Sequence, residues 1–268
     1  MGEHMGTNGQ ATVGANLSFT KFLFIAPHQD DVASIAKMRT AGANISRGFF
    51  NDYDADGSRE PQPQETIQFL QADGVQDGRE GIGASRYAVQ LSGNYRPRLE
   101  EAASDFQRRV SDVADLIMTD GAERATRYTS AEMQNFAYKP SLSRLSGRVA
   151  RNAIILPMNK TPAWWEKTAL ERHAYFYPHH DHATGAPVKG HAKSAEPGIK
   201  TIFRKLYHNP DGYQRAGEFD FLTYFECTDE NLPVFDQICR ALRDQHQNPE
   251  WKYVLEGPEW RGRRVLRW

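Results

Sequence analysis

His191 stands in a segment bounded by Gly190 and Pro197, among the small neighbours Ala192, Ser194 and Ala195. A neutral imidazole on such a short, closely packed element suits an axial iron ligand; the plainer alternative is a surface histidine or a satisfied core one. Arg204 alternates with Ile202 and Leu206, so in a strand it shares their apolar face. A guanidinium there needs an anion in a cavity or a buried ion pair, unless the facing is reversed and it lies in water. Trp164 and Trp165 are adjacent, so on a helix they diverge by about 100°. One can wall a pocket while the other packs on a sheet, or both can be plain core.

Three further clusters carry ligand-type side chains. His179, His180, Asp181 and His182 are dense enough for a metal, but consecutive residues cannot all face one ion, and a surface loop is the expectation. Asp52, Asp54 and Asp56 before Gly57 resemble the start of a calcium loop. The position that should hold a bidentate Glu is Pro63, so a solvated acidic loop is expected. Pro27-His28-Gln29-Asp30-Asp31 resembles a zinc-binding deacetylase motif, but Val32 stands where a Glu should follow, and chance is the reading adopted.

The elements that must position these residues are partly legible. Phe19 to Ala26 is a strand candidate. The positions Leu99, Ala102, Phe106, Val110, Val113 and Ile117 step by three and four, as on an amphipathic helix. Arg127-Tyr128-Thr129 and Val149 to Met158 read as strands. Thr161-Pro162 gives an N-cap and an N1 proline to a helix carrying both tryptophans. Ile199 to Tyr207 and Phe219 to Phe225 alternate as strands, and Leu232, Phe235, Ile238 and Leu242 form a helical stripe. Strand, helix, strand, strand, helix, strand is the order of a ferredoxin-like α+β unit, and the first half leaves room for another. The expected division is a flexible tail over 1–16, an N-terminal unit over 17–147 with an inserted loop at 51–64, and a C-terminal unit over 148–268.

Composition bounds the function classes. The 268 residues amount to one large domain or two ordinary ones, and 39% hydrophobic content with 21 glycines is globular. Lys and Arg total 33 against 34 Asp and Glu, so the net charge of -1 gives no footprint for nucleic acid. The apolar runs Phe22 to Ala26 and Ala153 to Leu156 fall far short of the ~20 residues of a membrane span. The first twenty residues lack a secretory pattern, and Cys227 and Cys239 show no CxxC spacing, so a reducing, cytoplasmic setting without a disulfide framework is expected.

From Pro157 onward the sequence resembles the chlorite dismutase family of haem proteins. Pro157-Met158-Asn159-Lys160 followed by Trp164-Trp165 is similar to the family's P-x-x-K-x-x-x-W-W segment. His191 lies thirteen residues before Arg204, as the haem-ligating His lies before the family's distal residue. Arg204-Lys205-Leu206-Tyr207-His208 resembles the RKLYH strand of chlorite dismutases, and Phe219 to Glu226 the strand that follows. Glu250-Trp251 resembles the late segment whose Glu bonds the proximal His, and Arg127-Tyr128-Thr129 an upstream strand of shorter members. Residues 17–120 carry none of the likeness. Coproheme decarboxylases are similar too. One of their branches has a reactive Tyr where Leu156 stands, and they often have Gln in place of Arg204 and WY in place of Trp164-Trp165; all three differences favour the chlorite dismutase branch. The stretch Tyr177 to Val188, close before His191, is additional to the family pattern.

The resemblance implies a haem-binding α+β barrel of tandem ferredoxin-like units, of the dimeric α/β-barrel type, assembled as a homo-oligomer, dimer or pentamer. It implies haem b held by His191, with Glu250 as the acceptor on that ring's other nitrogen, Lys160 reaching a propionate (or merely solvated), and Trp164 and Trp165 beside the cofactor. Chlorite would be decomposed to chloride and dioxygen through a ferryl haem, with Arg204 retaining hypochlorite until it recombines. The alternatives are a peroxidase or biosynthetic oxidoreductase on the same scaffold, a non-catalytic haem carrier or gas sensor, and a protein without haem.

Overall fold

The computed structural model describes residues 18–53, 65–73, 81–123, 150–181 and 184–268. The tail 1–16, the Arg127 to Thr129 strand, most of the 51–64 loop and the 147/148 boundary lie outside them.

The first half runs β1 (Phe19–Pro27), α1 (Val32–Ile45), β2 (Phe50–Asn51), β3 (Thr66–Ala72), β4 (Tyr87–Gly93), α2 (Arg96–Val110) and β5 (Ala114–Glu123). The second runs β6 (Asn152–Lys160), α3 (Pro162–Trp165), α4 (Ala169–Ala174), the two-residue strands β7 (His179–His180) and β8 (Pro187–Val188), α5 (Gly190–Ala195), β9 (Phe203–His208), β10 (Phe221–Cys227), α6 (Leu232–Arg243), β11 (Val254–Glu256) and β12 (Trp260–Val265). The first half orders its long strands β5-β1-β4-β3, and the second orders them β12-β6-β10-β9. Both are the ferredoxin-like arrangement. β5 pairs with β9 and β3 with β12, so the two sheets join at both seams and close into a barrel. The fold is α+β, as the sequence indicates.

Several boundaries differ from the sequence reading: β10 begins at Phe221 rather than Phe219, and β6 runs on to Lys160. The stripe from Leu99 ends at Val110 as helix; Val113 lies in a turn and Ile117 in β5, where strand alternation happens to continue the spacing. Ile199 to Ile202 are also not strand, because the turn at Glu196–Gly198 delays β9 until Phe203. Among the described residues, no helix is long and apolar enough to cross a membrane.

Closing the barrel makes each strand two-sided. Leu23 and Ile25 of β1 pack outward with α1 and α2, while Phe22 and Phe24 pack inward against Tyr207, Tyr224 and Trp260. The outer face of the second half packs against α6 through Ile154, Cys227, Phe235 and Ile238. The interior also holds charge. Arg264 Nη1 lies 3.3 Å from Glu226 Oε2, with side chains only 1% and 0% exposed. Arg264 Nε donates to Gln68 Oε1 at 2.6 Å, Gln68 Nε2 to Tyr224 OH at 2.6 Å, and Tyr224 OH to Glu226 Oε1 at 2.8 Å. A desolvated pair is tolerated because its polar atoms have partners; removing one charge strands the other.

Glu226→Gln should therefore lower unfolding free energy by about 3–5 kcal/mol, read from urea denaturation. A loss below about 1 kcal/mol, the size of a surface pair, would show that the interior charge is not isolated from water.

Candidate functional site

The site begins at the turn entering α5. Gly190 has φ +67°, and a Cβ there would stand 2.5 Å from the Tyr177 carbonyl oxygen, so glycine is required by both conformation and space. Gly190 N–H donates to Gln247 O, and His191 N–H to Tyr175 O, both at 3.0 Å. These contacts fix the backbone from which the imidazole projects beside the Phe176 ring, 5.1 Å between centroids.

His191 Nδ1 lies 2.8 Å from Glu250 Oε2. The other oxygen, Oε1, accepts from Lys160 Nζ at 2.5 Å. Glu250 is 4% exposed and Lys160 8%. Burial alone would raise the Glu250 pKa, but the Lys160 charge and the His191 contact outweigh it and hold the carboxyl at about 2. An ionised carboxylate only accepts, so Nδ1 is the donor in this contact, and Nε2 is the nitrogen that a neutral ring would offer to a metal or another electrophile. Lys160 ends β6; its backbone N–H donates to Asp220 Oδ2 at 2.9 Å, and its ammonium lies 4.2 Å over the Trp164 ring. Three chain segments far apart in sequence thus converge on one carboxylate.

His191, Lys160 and Glu250 line a pocket between the outer face of the second sheet and the helices α5 and α6. The pocket offers about 150 Å³ to the centre of a water-sized sphere. Arg204 and Leu206 of β9, Leu156 of β6 and Thr223 and Phe225 of β10 form its sheet side; Ala195 of α5 and Phe235 and Ile238 of α6 form its helical side. Arg204 is therefore half-buried in a mostly apolar wall, on the face shared by Ile202 and Leu206. Apolar walls lower the local dielectric and strengthen any pairing of the guanidinium with an anion.

The tryptophans stand behind this wall. Trp164 is buried under Lys160, packed with Tyr175 and Tyr253. Trp165 stacks on Tyr213 at 4.2 Å and on Phe221 at 5.9 Å, and Phe221 lines the pocket. Sequence reasoning missed the rim, where Arg243 of α6 donates to both oxygens of Glu256; two charged residues 13 apart on a helix and a strand leave no local signal.

Described members of the other clusters make local contacts. His179 Nδ1 meets Tyr177 O at 2.9 Å, and Asp181 Oδ1 accepts from Thr184 N–H at 2.8 Å; His182 lies outside the described residues. Asp31 caps α1 by accepting from Ser34 N–H at 2.7 Å, and Asp30 pairs with Arg86. Asp52 N–H donates to Ile67 O, while Asp54 and Asp56 lie outside the described residues. Among the described residues, no three His, Cys, Asp or Glu side chains gather around a common point.

No protein-family model and no curated protein matches the chain. Solved structures do. A double variant of chlorite dismutase from Candidatus Nitrospira defluvii is 17% identical, with TM-score 0.65 over 94% of this chain and 93% of that one. A single-residue variant of that enzyme is 19% identical, with TM-score 0.65 over 94% and 92%. The same enzyme in complex with imidazole is 18% identical, with TM-score 0.64 over 94% and 92%. The likeness spans both halves of the chain and shows the fold; at this identity the reaction must be argued from the site.

The depressed Glu250 pKa gives a stability term with a defined sign. It is fully present above the unfolded value of 4.5 and is lost as pH falls through 4.5 towards about 2. From pH 6 to pH 2, wild type should lose about 3 kcal/mol more than Glu250→Gln, read by urea denaturation at each pH. Parallel pH profiles would contradict the paired carboxylate.

Proposed function

We propose that this chain is a haem-dependent oxidoreductase that decomposes chlorite to chloride and dioxygen. The observation that carries the reading is the convergence of a Glu-oriented imidazole, His191, and a half-buried guanidinium, Arg204, on one apolar pocket. The donor set fits haem b: one histidine with its Nδ1 proton committed to Glu250, and apolar walls from both sheet and helices. Haem, when bound, would supply a redox-active iron centre.

The chain's own residues do the rest. His191 would ligate through Nε2, and Glu250, kept ionised by Lys160, raises the imidazole's donor strength and fixes its orientation. Lys160 is thereby a positioning residue, its ammonium held on Glu250. Arg204 binds the chlorite anion and retains anionic chlorine species by charge-assisted hydrogen bonds. The net conversion of chlorite to chloride and dioxygen takes up and releases no proton, so the pocket needs an anion holder and no general acid. Leu156, on the sheet side, gives the pocket no phenol where one branch of the decarboxylases carries a reactive Tyr, which supports the chlorite dismutase branch.

By the same reading the protein is a homo-oligomer of a reducing, cytoplasmic setting, with its two ferredoxin-like units at 17–147 and 148–268. Cys227 and Cys239 are free and buried. Burial pushes their thiols up to about 12 and about 11, so they stay protonated, as such a setting suits.

Haem-loaded protein should evolve oxygen from chlorite at an electrode. Arg204→Ala should raise KM about tenfold or more and shorten the time to bleaching, with hypochlorite caught by a chlorination trap. Loaded protein that turns over peroxide but yields no oxygen from chlorite would move the reading to a peroxidase on this scaffold. Ligand binding at the iron with neither turnover would indicate a carrier or sensor.

A further inference from the structure

Three cationic side chains line the pocket, and they are not equivalent. Lys160 is buried and faces Glu250. Arg204 projects from the sheet among apolar neighbours. Arg243, in the last turn of α6, is at the rim, its side chain 41% exposed. Its guanidinium grips the Glu256 carboxylate with Nε to Oε1 at 2.9 Å and Nη2 to Oε2 at 2.8 Å. This is the two-pronged geometry in which arginine recognises a carboxylate.

Two features make this pair more than a surface ion pair. Both partners line the pocket and bridge its helical side to its strand side. Such a half-exposed pair adds little to stability, so fold maintenance explains it poorly. Glu256 also does not depend on Arg243 alone. Trp251 Nε1 donates to Glu256 Oε1 at 2.6 Å, and the side chain is 35% exposed, so it keeps a donor and water if the arginine leaves. The neighbouring Glu259 lies 3.9 Å from Arg243 and is paired with Arg261.

We propose that Arg243 is a carboxylate-binding residue for the molecule that fills this pocket, and that Glu256 is a built-in competitor occupying its guanidinium until that molecule's own acid group replaces it. The exchange swaps one carboxylate for another on the same fork, and the released Glu256 keeps the Trp251 donor and contact with water, which solvate its charge. The proposal rests on the tetrapyrrole reading of the pocket, and names the acid side chain of that class as the group recognised.

The test uses iron-free protoporphyrin IX and its dimethyl ester, which removes iron ligation and isolates the acid groups. Each is titrated into the whole chain by tryptophan fluorescence quenching. Wild type should prefer the diacid, and Arg243→Met should cut the diacid-to-diester affinity ratio about tenfold while leaving ester binding in place. Glu256→Gln should raise the ratio a few-fold by removing the competitor. Equal weakening of both ligands in Arg243→Met, or no preference in wild type, would overturn the proposal and leave the tetrapyrrole reading standing. Failure of wild type to bind either porphyrin would overturn the proposal, and the tetrapyrrole reading is then decided separately by whether haem itself gives a Soret band that His191→Ala abolishes. A merely structural arginine changes both affinities together, so the ratio separates recognition from folding.

Discussion

A carboxylate removed from water must have both oxygens satisfied, and the site is organised around that requirement at Glu250. With only 4% of the residue exposed, Oε1 takes an ammonium and Oε2 an imidazole N–H. Much else follows from holding those three groups together. Gly190 must be glycine because α5 has to start hard against Tyr177 for His191 to arrive. Asp220 fixes the end of β6 because Lys160 projects from it, and Trp164 lies under the lysine as a flat face for its charge. The result is an imidazole oriented through Nδ1, with Nε2 directed away from the carboxylate.

Among the described residues, the two similar halves of the barrel use their outer layers differently. Both halves present an outer apolar face to a pair of helices. In the first, large side chains occupy that layer: Trp268 meets Phe69, Tyr87 and Phe106 edge-on and donates Nε1 to Leu70 O at 2.9 Å. In the second, the corresponding layer stays partly open, with His191 on one side and Arg204 on the other. Dense packing in one layer and a lined cavity in the other gives a rigid frame for a binding pocket. The interior Arg264–Glu226 network joins β12 to β10, so the ring that carries the pocket's sheet side is also held from within.

Much of the scaffold was legible in the residues, for physical reasons that also mark where legibility stopped. The amphipathic stripe of α6 and the Thr161-Pro162 start of α3 are local signals, and both elements are present. The stripe from Leu99 overran because Val113 and Ile117 satisfy helical spacing and strand packing alike, and only the turn after Val110 separates them. The first half carries no motif, yet folds into the same strand order, since sheet topology depends on apolar alternation and connection length more than on particular residues. The contact between His191 and Glu250 spans 59 positions and cannot be read from periodicity; the family likeness alone brought the two together. Lys160 was legible as a site residue, but its attachment to Glu250 was not. Arg243 and Glu256 were invisible, since neither breaks the pattern of its element.

The proposed function requires Glu250 to act through His191 on the iron that a bound haem would bring. The direct measurement is the iron–histidine stretching band in the resonance Raman spectrum of the ferrous haem-loaded protein. Wild type should show the band, Glu250→Gln should shift it to lower frequency by weakening the imidazole's donor strength, and His191→Ala should abolish it. A band that survives in His191→Ala, or that keeps its frequency in Glu250→Gln, would contradict the central claim.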